Sequence, residues 1–384
     1  MDSWTDLEAQ RHRESERSAP LIDPVPRHGG RVEEAARKYG FDPEEILDFS
    51  ANINPLGPPS GLKEVVDQAL ESISRYPDDQ YPRFRTAISD FLEDLHSQKL
   101  EPNQIVPGNG SVEIIRILLH YLRKTGGNKS VLIPTPAFSE YFHQSKILGL
   151  KTEQLPLDDL ISSRSSQLEE YGLVFLCNPN NPTGVLVDEG TLQNFVTRCR
   201  KANTMVVIDE AFIELTEPSQ SSIEFLPKRR NLVLIRSLTK NFSLPGARIG
   251  YGLAQREVAE ELDKFRPSWN LNAFAVEMTP HILDESREFL ARTRQYINRE
   301  RSYLSGALSR LGMKVYSSKA NFILTDCKEI EITASELTGE MARRKILLRD
   351  ASTFKGLDRW HVRIAVRTKD QNRQLIKTLE NLLP

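Results

Sequence analysis

Cysteine is scarce in this chain: three residues in 384, Cys177, Cys199 and Cys327, scattered and odd in number. They offer neither the CxxC pairs of a zinc site nor the density of a secreted disulfide framework, so the expectation is a reducing, cytoplasmic setting and no metal. An excess of one charge sign is missing too. With 51 basic against 53 acidic side chains the formal net charge is −2, and no field exists that would hold nucleic acid or an anionic membrane nonspecifically. No apolar run approaches the ~18 to 20 uncharged residues of a membrane span. From residue 40 onward there is no long low-complexity segment and no fixed-period repeat, which excludes solenoids and propellers. Residues 1–27 carry six acids and four arginines around no apolar centre, unlike a signal or transit peptide, and are expected to form a loosely ordered arm.

What the chain has is the composition of an ordinary globular protein, 39 % apolar and 27 % charged, long enough for two domains. Short continuous apolar runs at Val131–Ile133, Leu173–Leu176, Met205–Ile208 and Leu232–Ile235 each lead into a turn rich in Pro, Asn, Asp or Ser. Such runs suit strands buried on both faces of a parallel sheet. Amphipathic segments over Val112–Leu122, Phe138–Leu148 and Glu189–Ala202 have the length of right-handed crossovers, which makes the fold class α/β. After about Pro267 the pattern changes to a long charged helix, Ala273–Leu311, and then to β-like runs at 314–325, 346–349 and 360–366. Thr368 and Gln371 have the spacing of a capping box that opens a closing helix to Leu383. The expected division is a large α/β domain over about 60–270 and a smaller α+β domain built from 28–59 and 271–384.

The most informative stretch is Ser237–Gly250, in which Lys240 sits beside Ser237 and Thr239, with Arg248 eight positions on and glycines at 246 and 250. A lysine that forms a Schiff base needs a fixed, partly desolvated position, while an arginine fork and two hydroxyls suit a phosphate monoester. Pyridoxal 5'-phosphate presents both an aldehyde and a phosphate. Taken alone, a Lys/Arg/Gly turn is more often a surface loop; its companions decide the matter. Asn178–Gly184 and Asp209–Phe212 each follow a predicted strand, and open parallel sheets bind ligands beyond the carboxyl ends of their strands. Asn181, Asp209 and Lys240 are therefore expected in one crevice, the carboxylate keeping a pyridine nitrogen protonated and the amide meeting the ring's 3-hydroxyl. Gly108–Ser111 opens a helix whose free N–H groups can meet an anion, and Phe138, after Pro136, can stack on a planar ring.

This ordered set of motifs resembles the class I/II aminotransferase branch of the fold-type-I pyridoxal-phosphate enzymes, over roughly residues 28–384. The resemblance implies a large domain with a mostly parallel sheet flanked by helices and a smaller α+β domain. It implies Lys240 as the Schiff-base lysine, Asp209 on the pyridine nitrogen, Asn181 on the 3-hydroxyl, Phe138 on the ring, and Gly110, Ser111, Ser237, Thr239 and Arg248 around the phosphate. Tyr76 matches the family tyrosine that reaches the neighbouring subunit's cofactor, which implies a homodimer with shared sites. Residues 78–82 depart from the family's usual wording after that tyrosine, which leaves the details of the contact open.

Two subfamilies compete, the histidinol-phosphate aminotransferases and the threonine-phosphate decarboxylases. The opening His28-Gly-Gly, the run from Leu47 through Asn54 to Gly57, Phe212 where aminotransferases usually place a tyrosine, and Arg367 after Arg363 resemble the decarboxylases. That reading implies a small phosphorylated amino acid as substrate, held by His28, Asn54, Asn181, Arg349 and Arg363, with Arg363 on its carboxylate and Arg349 nearer its phosphate. The same active site would transaminate if a different bond stood perpendicular to the ring. A third reading, a pyridoxal-phosphate-binding regulator without turnover, is disfavoured because the arm carries no helix-turn-helix pattern and is not basic.

Overall fold

The structure, a computed structural model, describes residue 26 and residues 28–216, 220–284 and 286–383. The expected arm over 1–27 lies outside the described residues apart from Pro26.

With strands numbered in chain order, the predicted apolar runs form the centre of one seven-stranded sheet: β2 (Ile105–Asn109), β3 (Ser130–Thr135), β4 (Thr152–Pro156), β5 (Tyr171–Cys177), β6 (Met205–Asp209), β7 (Leu232–Ser237) and β8 (Ile249–Leu253), in spatial order β2-β8-β7-β6-β5-β3-β4. β8 runs antiparallel to both its neighbours, while β7, β6, β5, β3 and β4 are mutually parallel. Side chains alternate between two cores as the pleat requires: Val174, Leu176, Val206, Ile208 and Leu234 enter one, and Leu173, Phe175, Val207, Val233 and Ile235 the other. The crossover helices Ser111–Thr125, Ser139–Ile147 and Glu189–Lys201 fall within a few residues of their expected bounds.

The C-terminal segment builds an antiparallel sheet of β9 (Lys314–Val315), β10 (Phe322–Asp326), β12 (Arg349–Asp350) and β13 (His361–Ala365), ordered β12-β13-β10-β9. β1 (Leu47–Asp48) pairs in parallel with β11 (Ile346–Leu347), and Phe49 enters the core of this unit beside Leu304, Ile323 and Leu375. Residues 47–49 thus fold back onto the C-terminal part of the chain. Thr368 caps the last helix, Lys369–Leu382, in a reciprocal pair with Gln371.

Helix is described on either side of residue 285, over Ala273–Asp284 and Ser286–Arg310, along the span expected for the long helix after Pro267. The first packs on the helices Leu62–Ser72 and Pro82–His96, and Ala275, Ile282 and Leu290 belong to the large sheet's core, whereas Leu304 and Leu308 belong to the small one. The expected cut at 270 therefore falls inside the large core, and the change of core occurs along Ser286–Arg310. Among the described residues no helix is long and apolar enough to cross a membrane.

Candidate active site

Parallel pairing brings the carboxyl ends of β5, β6 and β7 side by side; Asp209 closes β6, and Asn181 and Lys240 stand just beyond the ends of β5 and β7. They open into a cavity of about 380 Å³ between the two sheets. Of the fourteen side chains expected in the site, His28, Gly110, Ser111, Phe138, Asn181, Asp209, Ser237, Thr239, Lys240, Arg248, Arg349 and Arg363 line it.

Asp209 is buried, 3 % exposed. Its Oδ2 accepts the Tyr141 hydroxyl at 2.7 Å and its Oδ1 the Ala211 N–H at 3.1 Å. Burial pushes this carboxyl up to about 6 against those hydrogen bonds. Lys240 moves the other way: burial, then the nearby Arg363 and Arg248, bring its amine down to about 8. A lysine so placed is still mostly protonated near pH 7, but its neutral, nucleophilic form is far more populated than that of an ordinary lysine.

The anion cradle is built by close approach. Gly110 has φ +77°, and a Cβ there would meet the Arg248 guanidinium at 2.5 Å; a Cβ at Gly250 would meet the Ser111 nitrogen at 2.5 Å. The two glycines let β8 press against the start of the helix Ser111–Thr125, so the helix's first N–H groups and Arg248 converge on one spot. Ser237 Oγ and Thr239 Oγ1 lie 2.7 Å apart beside it.

The opposite wall comes largely from the small sheet. Arg349 and Arg363 are direct cross-strand partners on β12 and β13. Arg363 donates to Asn181 Oδ1 and to the Ser50 carbonyl, the latter at 2.7 Å. Burial, then Arg349, lowers its guanidinium to about 9. Arg349 lies over the Phe354 ring and donates to Thr353 Oγ1 at 2.9 Å. His28 Nε2 is 2.6 Å from Glu140 Oε1. Burial works to raise the Glu140 carboxyl, yet hydrogen bonds from His28 and Gln144 hold it below its usual range. A Cβ on Gly29 would sit 2.0 Å from the Ser50 carbonyl oxygen, so only glycine lets this segment cross there and carry His28 into the cavity.

Two expected residues lie elsewhere. Asn54 is a structural tie: its amide donates to the Asn241 carbonyl at 2.7 Å and to Thr293 Oγ1 at 3.1 Å, and its Oδ1 accepts the Leu56 N–H. Both ends of the side chain are engaged, and it does not line the cavity. Tyr76 is outside the cavity, 79 % exposed and stacked on Trp269 at 4.5 Å. Tyr141 and Glu140 were missed; the available signal was a hydroxyl and an acid on the buried side of a predicted amphipathic helix.

The sequence profile described as Aminotransferase class I and II matches residues 44–379. A histidinol-phosphate aminotransferase of Methanopyrus kandleri is 32 % identical, over 94 % of this chain and 94 % of the relative. A threonine-phosphate decarboxylase of Salmonella typhimurium is 31 % identical, over 93 % and 96 %. The crystal structure of a histidinol-phosphate aminotransferase from Sinorhizobium meliloti in complex with pyridoxal-5'-phosphate superposes with a TM-score of 0.81 at 22 % identity, covering 96 % of this chain and 97 % of that one. The donor set of the cavity fits the same cofactor: an amine for the aldehyde, a buried carboxylate for the pyridine nitrogen, and a cradle of N–H groups, hydroxyls and a guanidinium for the phosphate.

Proposed function

The chain belongs to the aminotransferase class I and II family, whose cofactor is pyridoxal 5'-phosphate, and within it we propose that it decarboxylates O-phospho-L-threonine to (R)-1-amino-2-propanol phosphate, the aminopropanol unit of cobalamin. The observation that carries this reading is the Arg349–Arg363 pair. Like charges directly opposite on neighbouring strands repel, and a substrate with two anions offsets both charges where a singly anionic one offsets one. O-Phosphothreonine carries a carboxylate and a phosphate on adjacent carbons. Phe212 supports the same choice: its ring lines the cavity edge-on to Phe322 and offers no hydroxyl.

Bound pyridoxal phosphate supplies an electron sink for the pair left at Cα when a bond there breaks. Lys240 would hold the cofactor, and Asp209, fixed by Tyr141, would keep the pyridine nitrogen protonated. Arg363 would clamp the substrate carboxylate, which sets its orientation, while Arg349 and His28 would take the phosphate. Lys240, in its ammonium form, would supply the proton that takes the place of the carboxylate lost as carbon dioxide.

Transamination of histidinol phosphate is the second reading, favoured by relatives of both kinds at similar identity. Incubating the protein and cofactor with O-phospho-L-threonine, with and without 2-oxoglutarate, should release carbon dioxide and aminopropanol phosphate in both cases. Conversion of histidinol phosphate with 2-oxoglutarate, and no carbon dioxide from phosphothreonine, would overturn the decarboxylase reading.

The active unit we propose is a homodimer, for which the exposed Tyr76–Trp269 stack is a suitable contact. Mixing Lys240→Ala chains with an inactive Tyr76→Ala chain should then restore part of the activity; a fully active monomer at assay concentration contradicts it.

A further inference from the structure

Directly behind Asp209 and Lys240 lies a fully buried charged cluster that has no part in the chemistry proposed for the cavity. Arg236 Nη2 reaches Glu210 Oε2 at 2.7 Å, and its Nη1 pairs with Glu214 Oε1; all three side chains are 0 % exposed. Ser222 N–H donates to Glu210 Oε1 at 2.7 Å. Asn241 Nδ2 donates to Glu214 Oε2 at 2.6 Å. Two carboxylates thus share one guanidinium without solvent. Such an arrangement is costly to bury, and an apolar packing of the same volume often does as well or better for stability alone.

What sets these residues apart is their position in the chain. Glu210 follows Asp209, Arg236 precedes Ser237 at the end of β7, and Asn241 follows Lys240. Glu214 comes from a third segment, the 3-10 turn Ile213–Leu215, whose carbonyl Arg294 also holds at 3.1 Å. The register of β6 on β7 fixes where the strands end, not how the following turns are oriented.

We propose that Glu214 is a positioning residue: through Asn241 on one side and Arg236 with Glu210 on the other, it ties the short segment carrying Lys240 to the strand end carrying Asp209 and so sets the separation of amine and carboxylate. The inference rests on the reading that these two residues hold the cofactor, and is independent of which substrate is turned over.

Asn241→Ala cuts the tie without changing the charge of the cluster. Turnover of whichever substrate the parent accepts, O-phospho-L-threonine or histidinol phosphate with 2-oxoglutarate, should fall roughly ten- to a hundredfold with KM little changed, as expected for a displacement of the order of an ångström. In the cofactor-free protein, Lys240 should swing into wetter surroundings. The pH midpoint for recapturing pyridoxal phosphate, which needs the neutral amine, should therefore rise from about 8 toward the ordinary lysine range. The exchange Asn241→Asp with Glu214→Gln keeps one negative charge and reverses the hydrogen bond; it should recover much of what either single change loses, and it carries the test if Asn241→Ala does not fold. A folded Asn241→Ala protein with parental turnover and recapture midpoint, or an exchange no better than its single variants, overturns the tie. Borohydride reduction of the parent with cofactor bound separates the two readings: label on another lysine refutes the cofactor assignment, whereas label on Lys240 beside an unaffected Asn241→Ala refutes only Glu214.

Discussion

Burial acts on Asp209 and Lys240 in opposite directions. An acid whose folded pKa lies above its unfolded value contributes stability below the unfolded value, and that contribution is lost as pH rises through the folded one; for Asp209 the window runs from 3.8 to about 6. A lysine brought down from 10.5 to about 8 contributes stability above 10.5 and loses it as pH falls through about 8. On account of these two groups the cofactor-free protein should be least stable between about pH 6 and 8. Asp209→Asn should raise the unfolding free energy from urea denaturation at pH 7 by an amount on the order of 3 kcal/mol, and change it much less at pH 4. Equal gains at both pH values would refute desolvation of the carboxylate as the cause. Asn181, Asp209 and Lys240 were legible as neighbours because each lies at or just beyond the carboxyl end of a buried strand, whereas His28, Arg349 and Arg363 came from the family resemblance alone. Asn54 was not legible as a tie, since its partners, Asn241 and Thr293, are distant in sequence and nothing local announces them.

At the scale of elements, the approach of β8 to the helix Ser111–Thr125 decides whether the anion cradle exists. Gly250→Ala would drive a methyl group into backbone at Ser111 and Gly110, which cannot yield as a flexible side chain can. Overpacking of this kind costs about 1 to 3 kcal/mol, and the displaced helix start should weaken cofactor affinity at least tenfold. Urea denaturation and a cofactor titration read the two effects, and an unchanged affinity in the destabilised variant would separate the helix start from phosphate binding. The central strands were visible because burial on both faces demands continuous apolar runs. β2 and β8 were not, because proline and glycine interrupt them at Pro107, Gly108, Gly250 and Gly252. β2 tolerates its proline at the edge of the sheet, and β8 needs Gly250 for contact with the helix. β4, the other edge, has the polar composition of a strand only half covered.

For the whole molecule, the cofactor side of the cavity belongs to the large sheet, and Arg349, Arg363 and Phe354 come from the small unit. Cofactor binding and substrate recognition should separate accordingly. Arg349→Ala should lower kcat/KM for O-phosphothreonine roughly ten- to a hundredfold while leaving cofactor affinity close to parental, as loss of one charge-assisted contact predicts. Arg363→Ala should damage kcat as well, because in the proposed reading it would orient the substrate, and it holds Asn181. Equal losses of cofactor affinity in both variants would contradict this division. The C-terminal strands were legible from the change in pattern after Pro267. The place where one core gives way to the other was not, because Ser286–Arg310 is one continuous amphipathic helix whose two ends face different partners.

The Asn54 tie also bears on the order in which the protein can be completed during its synthesis. Its amide holds the Asn241 carbonyl, 187 residues on, and Thr293, 239 residues on. The turn behind Lys240 therefore lacks its full anchorage until Thr293 has emerged from the ribosome, and Arg363 emerges later still. Pyridoxal phosphate should accordingly be captured only when synthesis is nearly finished, and nascent chains stalled before Thr293 should retain it poorly even where the whole large sheet has formed.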